Sequence, residues 1–371
     1  MSKKEKPKER EIKYWQAISE ALVQTMERDD RVFIMGIGVD DPKGIFGTTL
    51  EAHKRFGKKR VLDTPVAENA MTGCAIGAAL AGMRPVMVHA RNDFMYYCMD
   101  QLCNHAAKWH QMFGGLMRVP MTVRAIIGRG WGQSCQHSQS LQSLFSHIPG
   151  LKVVMPSTPY SVKGLLMASI QDDSPVIFIE HRRLYDCTGP VPEEPYTLPL
   201  GKGAITRIGS DATVVAFSYM VWEAIRAATL LKEEGIEVEV VDPRSTKPLD
   251  EELILDSVKK TGRLVVADTS WKACGVSAEI AALVAEKAFE YLKAPIQRVT
   301  LPEVSAPTSV TLEKAFYPGP LDIISAVKRT MEMEKETKRL VPVFESNLAG
   351  RVSYEKEFAG LFHEKEFLGP F

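Results

Sequence analysis

Residues 60–90 read RVLDTPVAENAMTGCAIGAALAGMRPVMVHA. Arg60 to Asp63 is an apolar run ending in an acid, the pattern of a short strand. Pro65 to Ala81 follows, rich in small residues, and Pro65 suits the opening of a helix. Pro85 to Ala90 is a second apolar strand pattern. Strand, helix and strand within thirty-odd residues is a βαβ unit, which demands parallel pairing. The same alternation extends both ways. Trp15, Ile18, Leu22 and Met26 share one helical face, and Val32 to Met35 reads as a buried strand ending at Gly36. Phe46 to Phe56 reads as helix, Phe94 to Met112 as one long helix, and Pro120 to Ile127 as a strand. Ser140 to His147, Lys152 to Met155, Ser161 to Gln171 and Val176 to Glu180 continue as helix, strand, helix, strand. The expected class is α/β, with a parallel sheet covered on both faces.

The alternation stops at Asp186 to Leu200, where Pro190, Pro192, Pro195 and Pro199 stand among acidic residues. That composition predicts a linker. A second α/β unit follows. Its strands are Thr213 to Phe217, Glu237 to Val241, Leu264 to Ala267 and Ile296 to Thr300. Its helices are Val221 to Glu233, Glu251 to Lys260, Ser277 to Tyr291 and Leu321 to Glu336. The expected organisation is an N-terminal arm at 1–11, a first domain at 12–185, the linker at 186–200, a second domain at 201–340 and a tail at 341–371. The tail's Phe358, Leu361, Phe362, Phe367 and Phe371 predict that it docks.

The 371 residues are 45% hydrophobic and 25% charged, an ordinary soluble composition. Lys plus Arg and Asp plus Glu are 46 each, so the formal net charge is zero. A neutral chain lacks the basic field that broad nucleic-acid binding needs. The most apolar run, Met71 to Val88, is interrupted by Arg84 and Pro85 and reads as a buried helix feeding a strand, not a membrane span. The start, Lys3 to Lys13, mixes both charge signs, unlike a targeting sequence. Cys74, Cys98, Cys103, Cys135, Cys187 and Cys274 form no Cys-x-x-Cys pair. They predict reduced, mostly buried thiols in a cytoplasmic protein. The eight histidines are scattered and make no metal-ligand motif.

Ligands of open parallel sheets sit beyond the carboxyl ends of the strands. Three polar segments fall there: Asp63 to Asn69, His89 to Phe94 and Gly128 to Gln139. Glu68 stands in the first turn of a helix, where the dipole favours a negative charge. It reads either as that stabilising carboxylate or as a group that binds a cofactor ring nitrogen. His137 lies in a Gly-rich loop, amid Gly128, Gly130, Gly132, Gln136 and Gln139, which let backbone and amides approach a small ligand. It reads as a solvated loop histidine or an acid–base group. Phe94 reads as core packing or as a wall under an aromatic ring. Arg91 reads as a guanidinium for a substrate anion, or as half of an internal pair with Asp93, since strand alternation points the two the same way.

Several motifs in order resemble the β subunit of the 2-oxoacid dehydrogenase decarboxylases. They include Asp63-Thr64-Pro65-Val66-Ala67-Glu68, Arg84-Pro85-Val86 and Gln136-His137-Ser138-Gln139. The run Pro149 to Ser157, the run Ala168 to Val176, Asp242-Pro243-Arg244-Ser245 and Pro248-Leu249-Asp250 belong with them. The likeness runs from about Ile12 to about Lys328. It implies a transketolase-like pyrimidine-binding domain followed by a transketolase C-terminal domain, and thiamine diphosphate as cofactor. Glu68 is then expected to hydrogen-bond N1′ of the aminopyrimidine, Phe94 to contact that ring, and His137, with Gln136 and Arg91, to face the substrate. The family holds Mg²⁺ through Gly-Asp-Gly and Asn-Asn segments. Neither occurs here. The resemblance therefore implies an α subunit carrying the Mg²⁺ and diphosphate half, an α2β2 heterotetramer, and a lipoyl acyltransferase core that takes the acyl group. A carboligase that passes the acyl or ketol group to an aldehyde is the alternative, and a non-catalytic scaffold subunit is a third. At Ile37-Gly38, His89 and Arg91-Asn92 the chain departs from the family pattern, next to the expected site.

Overall fold

The computed structural model describes residues 10–128 and 133–331. Gly130, Gly132, most of the arm, the end of the last expected helix and the tail at 341–371 lie outside the described residues. The first half contains β1 (Glu11–Lys13), α1 (Tyr14–Arg28), β2 (Val32–Gly36), α2 (Leu50–Phe56), β3 (Val61–Asp63), α3 (Glu68–Leu80) and β4 (Arg84–His89). A 3-10 turn (Asn92–Cys98), a π turn (Gln101–Ala106) and α4 (Trp109–Met112) lead to β5 (Thr122–Ile127). Then come α5 (Gln142–His147), β6 (Lys152–Val154), α6 (Pro159–Gln171), β7 (Val176–His181) and β8 (Thr188–Pro190). The second half holds β9 (Ala204–Arg207), β10 (Ala212–Ala216), α7 (Tyr219–Glu233), β11 (Val238–Asp242), β12 (Ser245–Lys247) and α8 (Glu251–Thr261). It ends with β13 (Leu264–Trp271), α9 (Val276–Lys287), β14 (Gln297–Leu301), α10 (Val310–Phe316) and α11 (Pro320–Thr330).

The first sheet has the order β12-β6-β7-β5-β4-β2-β3, and the second β14-β13-β10-β11-β9. Within these two sheets all pairings are parallel except those of β12 with β6 and of β9 with β11. Every residue of β5, β7, β10 and β11 is buried, as expected for strands covered on both faces.

Four sequence expectations change. First, Phe94 to Met112 is not one helix. Its buried Met95, Cys98, Leu102 and Ala106 fall at spacings of three, four and four. That series suits 3-10 and π turns as well as an α-helix, so the pattern alone does not choose. Second, α2 begins at Leu50, not Phe46, because Gly44, Ile45, Phe46 and Gly47 all have positive φ, of 41°, 41°, 56° and 89°. A left-handed turn cannot enter a right-handed helix.

Third, the proline-rich segment is not a free tether. β8 pairs antiparallel with β1, and Tyr196 stacks on Tyr160 with ring centroids 4.8 Å apart. The buried Lys163 ammonium donates to the carbonyls of Pro192 at 2.6 Å, Glu193 at 3.0 Å and Glu194 at 3.1 Å, and to Glu20. Fourth, α3 is only half covered. Thr72, Ala75, Ile76 and Ala79 are buried, whereas Ala70, Cys74 and Gly77 are exposed. The thiols differ likewise: all six are free, but only Cys98 and Cys187 are buried, while Cys74, Cys135 and Cys274 are exposed.

The two halves share a core. Met87, Val123 and Ile177 of the first sheet belong to the same apolar cluster as Val215, Val241 and Val266 of the second. β12, from the second half, adds a strand to the first sheet. Trp222 Nε1 donates to Ser157 O at 2.7 Å, and Ser146 and Thr246 hydroxyls lie 2.6 Å apart. Among the described residues no helix is long and apolar enough to cross a membrane.

Candidate active site

The strands β5, β4, β2 and β3 are neighbours in the first sheet. Their carboxyl ends therefore lie side by side, and the three polar segments emerge there. Asp63, at the end of β3, ties its own loop to the loop after β2 by accepting from the Gly38 N–H at 2.7 Å. Glu68 is the first residue of α3, with Ala67 as its cap. It is half-buried. Its charge is felt at Cys98, on the 3-10 turn that also carries Phe94; burial first, and then other influences including Glu68, push that thiol up to about 11.

Phe94 and His137 meet edge to face, with centroids 5.1 Å apart and planes at 82°. The phenyl and imidazole come from loops after adjacent strands, β4 and β5, whose pairing runs from Val86 with Thr122 to His89 with Ala125. His137 is half-buried and Gln136 exposed. The surface beside them is bare and apolar: Val66 is 78% and Tyr97 68% exposed, and Ile37 and Leu62 are exposed as well.

Arg91 is 4% exposed. Its guanidinium donates to Gly128 O at 3.0 Å and to the Gln133 side-chain oxygen. An internal pair with Asp93, one of the two readings from sequence, does not form, and both residues turn to the next loop. Asp93 Oδ1 accepts from the Gln139 backbone N–H at 3.2 Å and from its side-chain amide at 2.9 Å. Asn92 Nδ2 donates to Gln139 O at 2.8 Å. Sequence reading left Asn92 and Gln133 without a role and offered Asp93 only as a partner of Arg91. Their polar character at a strand end was the available signal, but their partners lie some forty residues away.

Two buried histidines border this region. Burial lowers His89 to about 4, and burial together with the Arg91 charge lowers His181 to about 3. Both are neutral imidazoles at physiological pH. Among the described residues no group of three or more His, Cys, Asp or Glu side chains converges as a metal site.

The transketolase pyrimidine-binding domain model matches residues 10–188, and the transketolase C-terminal domain model matches residues 201–323. The β subunit of acetoin:2,6-dichlorophenolindophenol oxidoreductase from Cupriavidus necator is 46% identical over 326 residues, covering 85% of this chain and 96% of that protein. The chain belongs to the β-subunit family of the 2-oxoacid dehydrogenases. Other members are similar at comparable length. The pyruvate dehydrogenase E1 component subunit beta of Rickettsia felis is 42% identical over 314 residues, with 85% and 96% covered. The 2-oxoisovalerate dehydrogenase subunit beta of Bacillus subtilis is 40% identical over 323 residues, with 86% and 99% covered. The fold also matches a split-gene transketolase solved as an inactive beta4 tetramer, with a TM-score of 0.72, 20% identity and coverage of 87% and 99%. The family thus has a two-domain transketolase α/β fold, as read from the sequence.

Proposed function

We propose that this chain is the β half of a thiamine diphosphate-dependent 2-oxoacid dehydrogenase of the cytoplasm, which decarboxylates a 2-oxoacid and passes the acyl group to a lipoyl acceptor. The observation that carries this reading is one cluster: Glu68 opens α3, α3 packs beside the turn bearing Phe94, and Phe94 touches His137. A carboxylate and an aromatic ring are the groups an aminopyrimidine needs, an acceptor for its N1′ side and an apolar wall. The fit is to that half of the cofactor only. The Mg²⁺ that would hold the diphosphate needs oxygen ligands, and the described residues bring together no group of three or more His, Cys, Asp or Glu side chains. An α-type chain would supply them, seated on the bare apolar rim of Val66, Tyr97, Ile37 and Leu62, in an α2β2 enzyme served by a lipoyl acyltransferase.

Bound thiamine diphosphate supplies an electron sink for the pair released by decarboxylation. The chain's own residues have narrower tasks. Glu68 would hold N1′ and keep electron density on the ring. Phe94 would fix the ring's tilt and exclude water from one face. His137, braced by Phe94, would carry a proton at the substrate oxygen, and the exposed Gln136 amide would orient the substrate carboxylate.

The test is coexpression with an α-type partner chain, followed by oxoacid-dependent reduction of a dye and by transfer to a lipoyl domain or an aldehyde. Glu68→Gln should abolish turnover with an unchanged circular dichroism spectrum. His137→Ala should lower kcat by about a hundredfold. Near-normal turnover by a folded Glu68→Gln enzyme would sink the assignment. Transfer to the aldehyde instead of the lipoyl domain would make the enzyme a carboligase.

A further inference from the structure

We infer that Arg91, Asn92 and Asp93 form a clamp that holds the loop bearing His137 at both of its ends, so that Arg91 is a positioning residue and not a substrate ligand. The inference rests on the reading of His137 as the acid–base group. Three consecutive side chains at the end of β4 reach one loop after β5. Arg91 binds its near side, at Gly128 O and the Gln133 amide. Asn92 and Asp93 bind its far side, taking the carbonyl, the backbone N–H and the side-chain amide of Gln139. The next residue, Phe94, braces the imidazole itself. Ser134 to Ser138 are suspended between the two attachments, and Ser134 has φ of 62°, a turn conformation.

Burial decides between clamp and substrate contact. Arg91, Asn92 and Asp93 are 4%, 0% and 6% exposed. Each of the two Arg91 terminal nitrogens already has an acceptor. With both terminal nitrogens turned to the loop and only 4% of the residue exposed, little of the guanidinium is open to a substrate anion. A short polar loop left to itself samples many conformations, and fixing one costs backbone entropy. The clamp meets that cost before substrate arrives. Displacing a reacting group by about 1 Å can lower a rate about a hundredfold, so loss of the clamp should appear in kcat.

The experiment uses the assembled enzyme. Arg91→Met, Asp93→Ala and Gln139→Ala are each made alone and in the His137→Ala background. Gln139→Ala removes only a half-buried loop side chain, so it keeps the test open if a buried-charge variant does not fold. The clamp predicts that each single replacement lowers kcat about tenfold or more, with KM for monocarboxylic and dicarboxylic oxoacids unchanged. It predicts no further loss when His137 is already absent, because the residues act through it. Arg91→Lys, able to reach one acceptor, should recover part of the rate. Amide hydrogen exchange in the peptide spanning 128–140 should quicken in Arg91→Met, with β2 and β6 unaffected. Fully additive losses in the His137→Ala background, or a KM rise confined to dicarboxylic substrates, would overturn the clamp and return Arg91 to substrate binding. A wild-type assembly without oxoacid turnover would overturn the functional reading alone, since hydrogen exchange reports the clamp without any substrate.

Discussion

Gly128 is where the requirement at a single residue is sharpest. It follows β5 with φ of 90°, and a Cβ built there would lie 2.6 Å from Cε1 and Nε2 of the buried His181 ring. Its carbonyl is the acceptor of Arg91. The loop therefore enters between a ring below and a guanidinium above, and no side chain fits. Gly128→Ala should cost about 1–3 kcal/mol through strain in a disfavoured φ region and should lower kcat by displacing the His137 loop. A thermal melt together with steady-state turnover checks both, and an unchanged kcat would detach Gly128 from the site. The strand-end placement of Glu68 and His137 was legible from the sequence. The partners of Arg91 were not: alternation gives the side of the strand on which a residue points, but not which loop it meets across the sheet.

Among the elements, α6 has a second task besides covering the sheet. Thr158 caps it by accepting from the Ser161 N–H at 3.0 Å, and Pro159 starts its first turn. From its second turn Lys163 reaches Glu20 of α1 and three successive carbonyls of the segment between the domains. Removing the ammonium would take the Lys163 donor from the Pro192 and Glu194 carbonyls, while Glu20 keeps Arg10 and Gln24 and the Glu193 carbonyl keeps Gln24. Lys163→Met should destabilise the chain by about 1–3 kcal/mol, the range for buried acceptors left without a donor. Urea unfolding reads the loss, and a midpoint equal to wild type would show the segment to be held by β8 and Tyr196 instead. Composition had marked this segment as a linker, since prolines among acids carry no core signal. The latch comes from one lysine whose target is the backbone, and backbone acceptors have no sequence signature.

At the scale of the molecule, the two halves are welded through polar groups as well as through the common core. Asp242, at the end of β11, is fully buried and hydrogen-bonded to Ser157 Oγ of the first half and to the Arg244 N–H at 2.9 Å. Burial raises its carboxyl from an ordinary 3.8 to about 6, with Ser157 and the Arg244 N–H partly offsetting. A carboxyl whose folded pKa is raised contributes stability that is complete below the unfolded value and is lost as pH rises through the folded one. The junction should thus weaken between about pH 4 and pH 7. Asp242→Asn, which cannot ionise, should gain on wild type across that window. Melting temperatures of both proteins across this pH range test it, and a constant difference would exclude Asp242 as the titrating group.

The sequence alone determined the fold class, the order of nearly all strands and helices, and the family motifs, because apolar periodicity and local turn chemistry are written in neighbouring residues. It also placed Glu68, Phe94 and His137 at strand ends. Tertiary structure decided the rest. It moved β12 into the first sheet, broke the helix after β4 into 3-10, π and α turns, pinned the proline-rich segment to Lys163, and joined Arg91 to the His137 loop instead of to Asp93. Each of these depends on which backbone groups and side chains meet across tens of residues, and only the pairing of strands in the folded sheet sets those meetings.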